Sequence, residues 1–170
     1  MKPKIALILA AAALSAAVLI PGGFAAASKT NRATVAVAQS KLGRILVDGR
    51  GRSLYLFEKD KKGKSSCSGA CLAYWPPLIA SGKAVAKPGV KASLLGRTKR
   101  ADGRWQVTYK RHPLYTFVGD TKKGQTNGEG LTDFGGSWDV VSPSGAKIEK
   151  SAASSGSSSG GYGGYGGYGG

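Results

Sequence analysis

The sequence predicts a small β-rich domain made of two similar hairpin units, and three observations predict it. Short apolar runs alternate with turn residues and glycines between residues 34 and 146, a spacing suited to brief strands and tight turns. The segment around Tyr55 recurs 60 residues later around Tyr115. Aromatic residues are only 8% of the chain, yet they cluster beside turns, where they mark the ends of strands.

The elements follow in order. Lys2 and Lys4 precede an apolar run over residues 5–20, Pro21-Gly22-Gly23 breaks it, and Ala25-Ala26-Ala27 offers an A-x-A cleavage site. Residues 1–27 therefore read as a secretory signal peptide. The run is shorter than the roughly 20 residues a spanning helix needs, so no transmembrane segment is expected after cleavage. Residues 28–41 form a polar leader that ends in a candidate first strand, Thr34-Val35-Ala36-Val37-Ala38. Residues 43–48 are a second strand candidate, Gly49-Arg50-Gly51 a turn, and residues 52–57 the returning strand.

The same device recurs at residues 104–110, with Arg111-His112-Pro113 as the turn and residues 114–118 returning. Laid over the first hairpin at a shift of 60 without a gap, Gly43, Arg44, Val47, Leu54, Tyr55, Phe57 and Asp60 meet identical residues. Unrelated stretches of that length would share about one. Lys62-Gly63 then answers Lys123-Gly124, Trp75 answers Trp138, and Ser81-Gly82 answers Ser144-Gly145. The growing shift places the extra residues in the loop after the aspartate. The domain spans residues 42–149, with copies at about 42–82 and 102–145. Residues 150–170 are a Ser/Gly/Tyr tail with no apolar face to offset its ordering entropy, so disorder is expected there.

Within each returning strand, residues two apart share a face. Tyr55 and Phe57 point one way, with Leu54 and Leu56 opposite; Tyr115 and Phe117 repeat this, with Leu114, Thr116 and Val118 opposite. Asp60 opens Asp60-Lys61-Lys62-Gly63, a type I turn signature in which the carboxylate accepts the turn's own amides. Asp120 opens a turn one residue longer. The motif thus reads as an aromatic pair for the core and a carboxylate that fixes the exit turn. The alternative is a cation or amine held jointly by Asp60 and Asp120, with further oxygens from Asn127-Gly128-Glu129-Gly130 and Asp133. That stretch lacks the spacing of a calcium loop.

Tyr55-Leu56-Phe57-Glu58-Lys59-Asp60 and Tyr115-Thr116-Phe117-Val118-Gly119-Asp120 both fit Tyr-x-(Phe/Trp/Tyr)-x-x-Asp. With Cys67-Ser68-Gly69-Ala70-Cys71 and Trp75-Pro76-Pro77-Leu78, the chain resembles a bacterial family of secreted repeat proteins, often described as predicted lipoproteins, over about residues 42–146. No cysteine follows the signal run for lipid attachment, unlike the lipoprotein members. The resemblance implies fold and compartment, secreted or cell envelope, and carries no established activity.

Cys67 and Cys71 are the only cysteines, and in an oxidising compartment so close a pair is most simply a disulfide. A redox pair would more often show C-x2-C than this C-x3-C. His112 is the only histidine and sits in a turn, with no Ser or Cys nucleophile arranged around it. One histidine and two bonded cysteines do not make a zinc set, and Met1 is the only methionine, so no metal site, cofactor or catalytic residue is expected.

With 25 Lys and Arg against 9 Asp and Glu, the net charge is +16. Without Lys2 and Lys4 there are 23 against 9, leaving +14. Such charge favours anionic envelope polymers or lipid headgroups as partners, with no specific nucleic-acid recognition because no recognition motif accompanies it. The candidate contacts are Lys59, Lys61, Lys62, Lys64, Arg97, Lys99, Arg100, Lys110, Arg111, Lys122 and Lys123, grouped at the turns. The function expected is that of a secreted, non-enzymatic envelope or extracellular protein that binds anionic polymers. The alternatives are a structural or adhesive protein working through the tail, with Tyr162, Tyr165 and Tyr168 at every third position, and an envelope redox or metal-handling protein.

Overall fold

The computed structural model describes residues 32–61 and 63–148; the signal segment, Lys62 and the tail lie outside the described residues. Strands β1 (Thr34–Ser40) and β2 (Gly43–Asp48) form an antiparallel hairpin in which Val37 faces Leu46 and Ser40 faces Gly43. β3 (Tyr55–Phe57) follows, then the single helical turn α1 (Cys71–Tyr74) and β4 (Val85–Ala86), which joins β1 in parallel. β5 (Leu95–Lys99), β6 (Trp105–Tyr109) and β7 (His112–Pro113) form a second sheet. β8 (Leu131–Asp133) and β9 (Gly136–Val140) complete a third with β3, in the order β3-β9-β8. Cys67 and Cys71 are bonded, with their Cα atoms 5.5 Å apart, so the pair braces the approach to α1.

The second hairpin turn differs from the one the sequence suggests. Lys110 and Arg111 are the turn residues, both with positive φ (47° and 70°), while His112 and Pro113 already belong to β7 and pair with Tyr109 and Thr108. Two positive-φ residues match the right-handed twist of the flanking strands, so a two-residue turn closes the hairpin without the glycine or asparagine that usually signals it.

The gapless repeat conceals two compensating length changes. Leu46 N donates to Val141 O at 2.8 Å and its carbonyl accepts Leu54 N; Val107 N donates to Leu78 O at 2.8 Å and its carbonyl accepts Leu114 N. Leu46 and Val107 are therefore equivalent, and Val47 and Val107 are not. Ser40 and Gly43 enclose Lys41 and Leu42, whereas the Arg100 N–Arg104 O bond encloses Ala101, Asp102 and Gly103. The next turn is one residue shorter in the second copy, where Thr108 pairs with Pro113, than in the first, where Val47 pairs with Ser53. The two changes cancel before Tyr115.

The copies are interlocked rather than stacked. Tyr55 and Tyr115 face each other and exchange backbone hydrogen bonds of 2.9 and 3.0 Å, which marks an approximate two-fold axis. The segment that carries or follows each tryptophan then crosses to the other copy. Tyr55 pairs with Val140, and Phe57 with Trp138. Tyr115 pairs with Pro77, Thr116 N donates to Pro76 O, and Leu78 N donates to Leu114 O. Two cores result, one on each face of the returning strands. Leu46, Leu54, Leu56, Val107 and Leu114 fill one. Ile45, Val47, Tyr55, Phe57, Tyr115, Trp75 and Trp138 fill the other. The alternation of Tyr55 and Phe57 against Leu54 and Leu56 is the one the sequence predicts, whereas Val118 is exposed.

Leu54 and Leu114 are fully buried at equivalent places in the same core. Leu54→Ala and Leu114→Ala should each cost about 2–5 kcal/mol in urea unfolding, in one shared transition, because each core is built from both copies. Two separate transitions would show that the copies fold independently.

Candidate functional site

Four rings form a column through the second core. Phe57 stacks on Trp138 at 4.0 Å, Trp138 on Trp75 at 3.9 Å, and Trp75 packs on Phe117 at 4.4 Å. Tyr55 meets the edge of Trp75 and Tyr115 the edge of Trp138, at 5.3 and 5.1 Å. Edge contact of this kind matches the positive rim of one ring to the negative face of another. Each tyrosine is fully buried, so its hydroxyl needs a partner. That partner comes from the other copy: Tyr55 Oη donates to Asp120 Oδ2 at 2.6 Å, and Tyr115 Oη donates to Asp60 Oδ2 at 2.7 Å.

The other carboxylate oxygen organises the loop that follows. Asp60 Oδ1 accepts Ser66 N (2.7 Å) and Ser66 Oγ (2.8 Å); Asp120 Oδ1 accepts Asn127 N (2.8 Å). The aspartates do hold their exit loops, but through amides six and seven residues on rather than those of the immediate turn. Gly128, which the sequence offered as part of a cation loop, has another task. Its N donates to Tyr55 Oη at 3.3 Å, and a Cβ there would stand 2.7 Å from Trp75. Glu129 Oε2 accepts Val140 N at 2.7 Å. Asn127 to Glu129 thus clasp the second core. Among the described residues no three of His, Cys, Asp and Glu gather to hold a metal ion.

Burial, reinforced by the neighbouring carboxylates, pushes both phenols well above their ordinary value of 10.0. Burial also raises Asp60 and Asp120, against the opposing effect of the hydrogen bonds each accepts. His112 is lowered, by burial first and then by Lys110, with Asp60 acting the other way. It shares a hollow of about 330 Å³ with Asp60, Phe57 and the Lys147–Glu58 ion pair.

The candidate basic contacts separate into distinct groups. Arg100 is not a surface contact at all. It is buried, and its guanidinium donates to Gln106 Oε1 (2.6 Å), Ser65 Oγ (2.7 Å) and Cys67 O (2.7 Å), tying the disulfide loop of the first copy to β6 of the second. Set in the polar run Lys99-Arg100-Ala101-Asp102, it looks like an ordinary turn residue in the sequence. Lys59 Nζ donates to Phe134 O at 3.0 Å. The two exit turns lie apart, each on the other copy's hairpin turn: Gly63 packs on Arg111, while Gly124 N donates to Gly51 O and Lys123 packs on Gly51. Lys122 and Lys123 therefore sit with the first hairpin turn, and Lys61 and Lys64 with Lys110 and Arg111; all six are exposed. At that second place a hollow of about 220 Å³ is lined by Gly63, Lys64, Arg97, Thr98, Thr108 and Arg111. The Arg97 guanidinium lies 4.8 Å from the Trp105 ring centre and donates to Ser81 O at 3.0 Å, which presets its position. Lys99 is exposed further along β5.

A family model described as a secreted repeat of unknown function matches residues 36–79 and 96–142, just over half the chain and one stretch per copy. No curated protein and no solved structure matches the chain significantly. Among the described residues no helix is long and apolar enough to cross a membrane.

Double-mutant cycles should find coupling of about 1–3 kcal/mol between Tyr55→Phe and Asp120→Ala and between Tyr115→Phe and Asp60→Ala, with little for Tyr55 against Asp60. Equal coupling in all combinations would refute the crossed pairing. The raised phenols also set an alkaline limit. Above about pH 10 the unfolded chain releases these protons and the folded one holds them, so stability falls as pH rises. Denaturation followed by phenolate absorbance should show that slope shrinking in Tyr55→Phe.

Arg100→Ala takes the guanidinium from two buried acceptors, Gln106 Oε1 and Cys67 O, and should destabilise by about 2 kcal/mol or more in thermal or urea unfolding. Arg100→Lys should not restore the loss, because an ammonium cannot reproduce the planar fork. Wild-type stability in either variant would show that the network contributes little.

Proposed function

Because this chain belongs to that family of secreted repeats, we propose that it acts outside the cell as a non-enzymatic binding module for anionic polymers. The observation that carries the reading is the hollow lined by Lys64, Arg97 and Arg111, which brings three cations together without a carboxylate in its lining. These residues come from the first copy's exit turn and from the second copy's β5 and hairpin turn, so the interlocked fold is what assembles them. The residues most perturbed by burial, Tyr55, Tyr115, Asp60 and Asp120, are engaged with one another and act on the framework. Polyanion contact of this kind releases counterions, so it depends steeply on salt and reads little sequence or sugar identity. Envelope polymers with phosphate or carboxylate groups are the partners this favours, with anionic lipid headgroups sharing the same chemistry.

Retention on heparin and on immobilised polyphosphate, across a salt gradient, tests the proposal. The protein should be retained at low salt and released as salt rises. Lys64→Ala with Arg97→Ala and Arg111→Ala should elute distinctly earlier, whereas Lys122→Ala with Lys123→Ala should shift less. Removing residues 151–170, which contain no Lys or Arg, should leave retention unchanged. No retention at low salt would overturn the reading, and retention lost with the tail would favour the adhesive one.

A further inference from the structure

One surface feature is unexplained by either the interlocked framework or the basic hollow. Tyr74, at the end of α1, and Phe134, in the turn between β8 and β9, are 54% and 40% exposed, and their ring centres lie 6.0 Å apart with the planes tilted by 40°. They come from different copies and line a hollow of about 450 Å³ together with Asp133. That volume falls in the range of small-ligand sites.

Phe134 stands in a backbone conformation that a bulky residue rarely adopts. Its φ is 55°, followed by Gly135 at 83°, so Phe134 and Gly135 make a two-residue hairpin turn whose first position favours Asn, Asp or Gly. The turn is fixed by Lys59 Nζ on the Phe134 carbonyl and by Trp138 Nε1 on the Asp133 carbonyl. An aromatic ring held at a disfavoured turn position, beside a second exposed ring, is the kind of local strain that accumulates where a side chain is presented to a ligand.

We propose that Tyr74, Phe134 and Asp133 form a binding site for a neutral sugar ring of a polysaccharide. A pyranose has an apolar C–H face that meets the negative face of an aromatic ring, and a hydroxyl rim that needs acceptors such as the Asp133 carboxylate. The size of the patch selects against a protein partner. Two aromatic side chains exposed to this extent offer roughly 200 Å² between them, where a standard protein interface takes about 800 Å² from each partner. Charge selects against a phosphate-bearing ligand: the carboxylate of Asp133 repels it, and the adjacent Lys59 is committed to the turn carbonyl. This site is independent of the basic hollow.

Affinity electrophoresis in gels containing a neutral glucan, mannan, galactan or chitin, at salt high enough to remove polyanion retention, tests it. The full chain should be retarded by at least one. Phe134→Asn and Tyr74→Ala should each weaken that retardation about tenfold or more, while Lys64→Ala with Arg97→Ala and Arg111→Ala leaves it intact. Asn suits the turn position, so Phe134→Asn should melt no lower than the wild type. Retardation in none of the four gels, retardation unchanged in Phe134→Asn, or a lower melting temperature for that variant would overturn the proposal, the last by making the ring a part of the fold.

Discussion

Each tyrosine of the repeated motif needs the aspartate of the other copy, and the rest of the structure is arranged so that both needs are met at once. A buried phenol without a partner is costly, and so is a buried carboxylate. Joining them at 2.6 and 2.7 Å offsets both costs with one charge-assisted bond. The exchange of backbone bonds between Tyr55 and Tyr115 holds the two strands antiparallel, so their side chains leave the axis in opposite directions. Between them the stacked Trp75 and Trp138 fill the space a two-fold arrangement would otherwise leave empty. The spacing of the motif follows. A step of two residues from Tyr to the second aromatic position keeps both rings on one face, and three more bring the chain out of the sheet to present a carboxylate to the neighbour.

The two halves are alike in geometry and unlike in surroundings. Asp60 borders a hollow shared with His112, and Tyr115 Oη has Ser65 Oγ 2.7 Å away, linked in turn to the buried Arg100. Asp120 is held by Asn127 and influenced by Lys41, and its tyrosine is further covered by Gly128. The exit loops differ in length by one residue and still close, because only one amide must reach Oδ1 in each. Duplication has preserved the shared bonds and left the flanks free to diverge.

Much of this framework is legible in the sequence. The alternation around Tyr55 and Tyr115 assigns the side chains to their cores, apart from the exposed Val118, because strand periodicity is local. The disulfide is legible from spacing and compartment. What is not legible is which copy supplies each partner. Both copies carry the same tyrosine, tryptophan and aspartate, so a crossed and an uncrossed arrangement have one pattern between them. The equivalence of Leu46 with Val107 is hidden for a related reason: an insertion and a deletion cancel, and the chance identity of Val47 with Val107 stands where a gap belongs. Strands β5, β8 and β9 escape notice because they are short and polar along one side. Arg100 sits among charged turn residues, and its burial depends on contacts with Ser65 and Cys67, more than thirty residues away, as well as with Gln106.

The crossing of strands has a consequence for the order in which the chain can fold. A secreted polypeptide emerges with its N-terminal copy first. At that stage Leu46 and Leu54 lack Val141, and Tyr55 lacks Asp120, Tyr115 and Val140. The early hairpin can form, and the disulfide between Cys67 and Cys71 can close, since each joins neighbours in the chain. The aromatic column cannot, because Trp138 is its second ring. Compaction therefore waits until almost the whole domain is outside. Up to that moment the leading half is a lone hairpin and a small disulfide loop, with its apolar residues still waiting for their partners from the second copy.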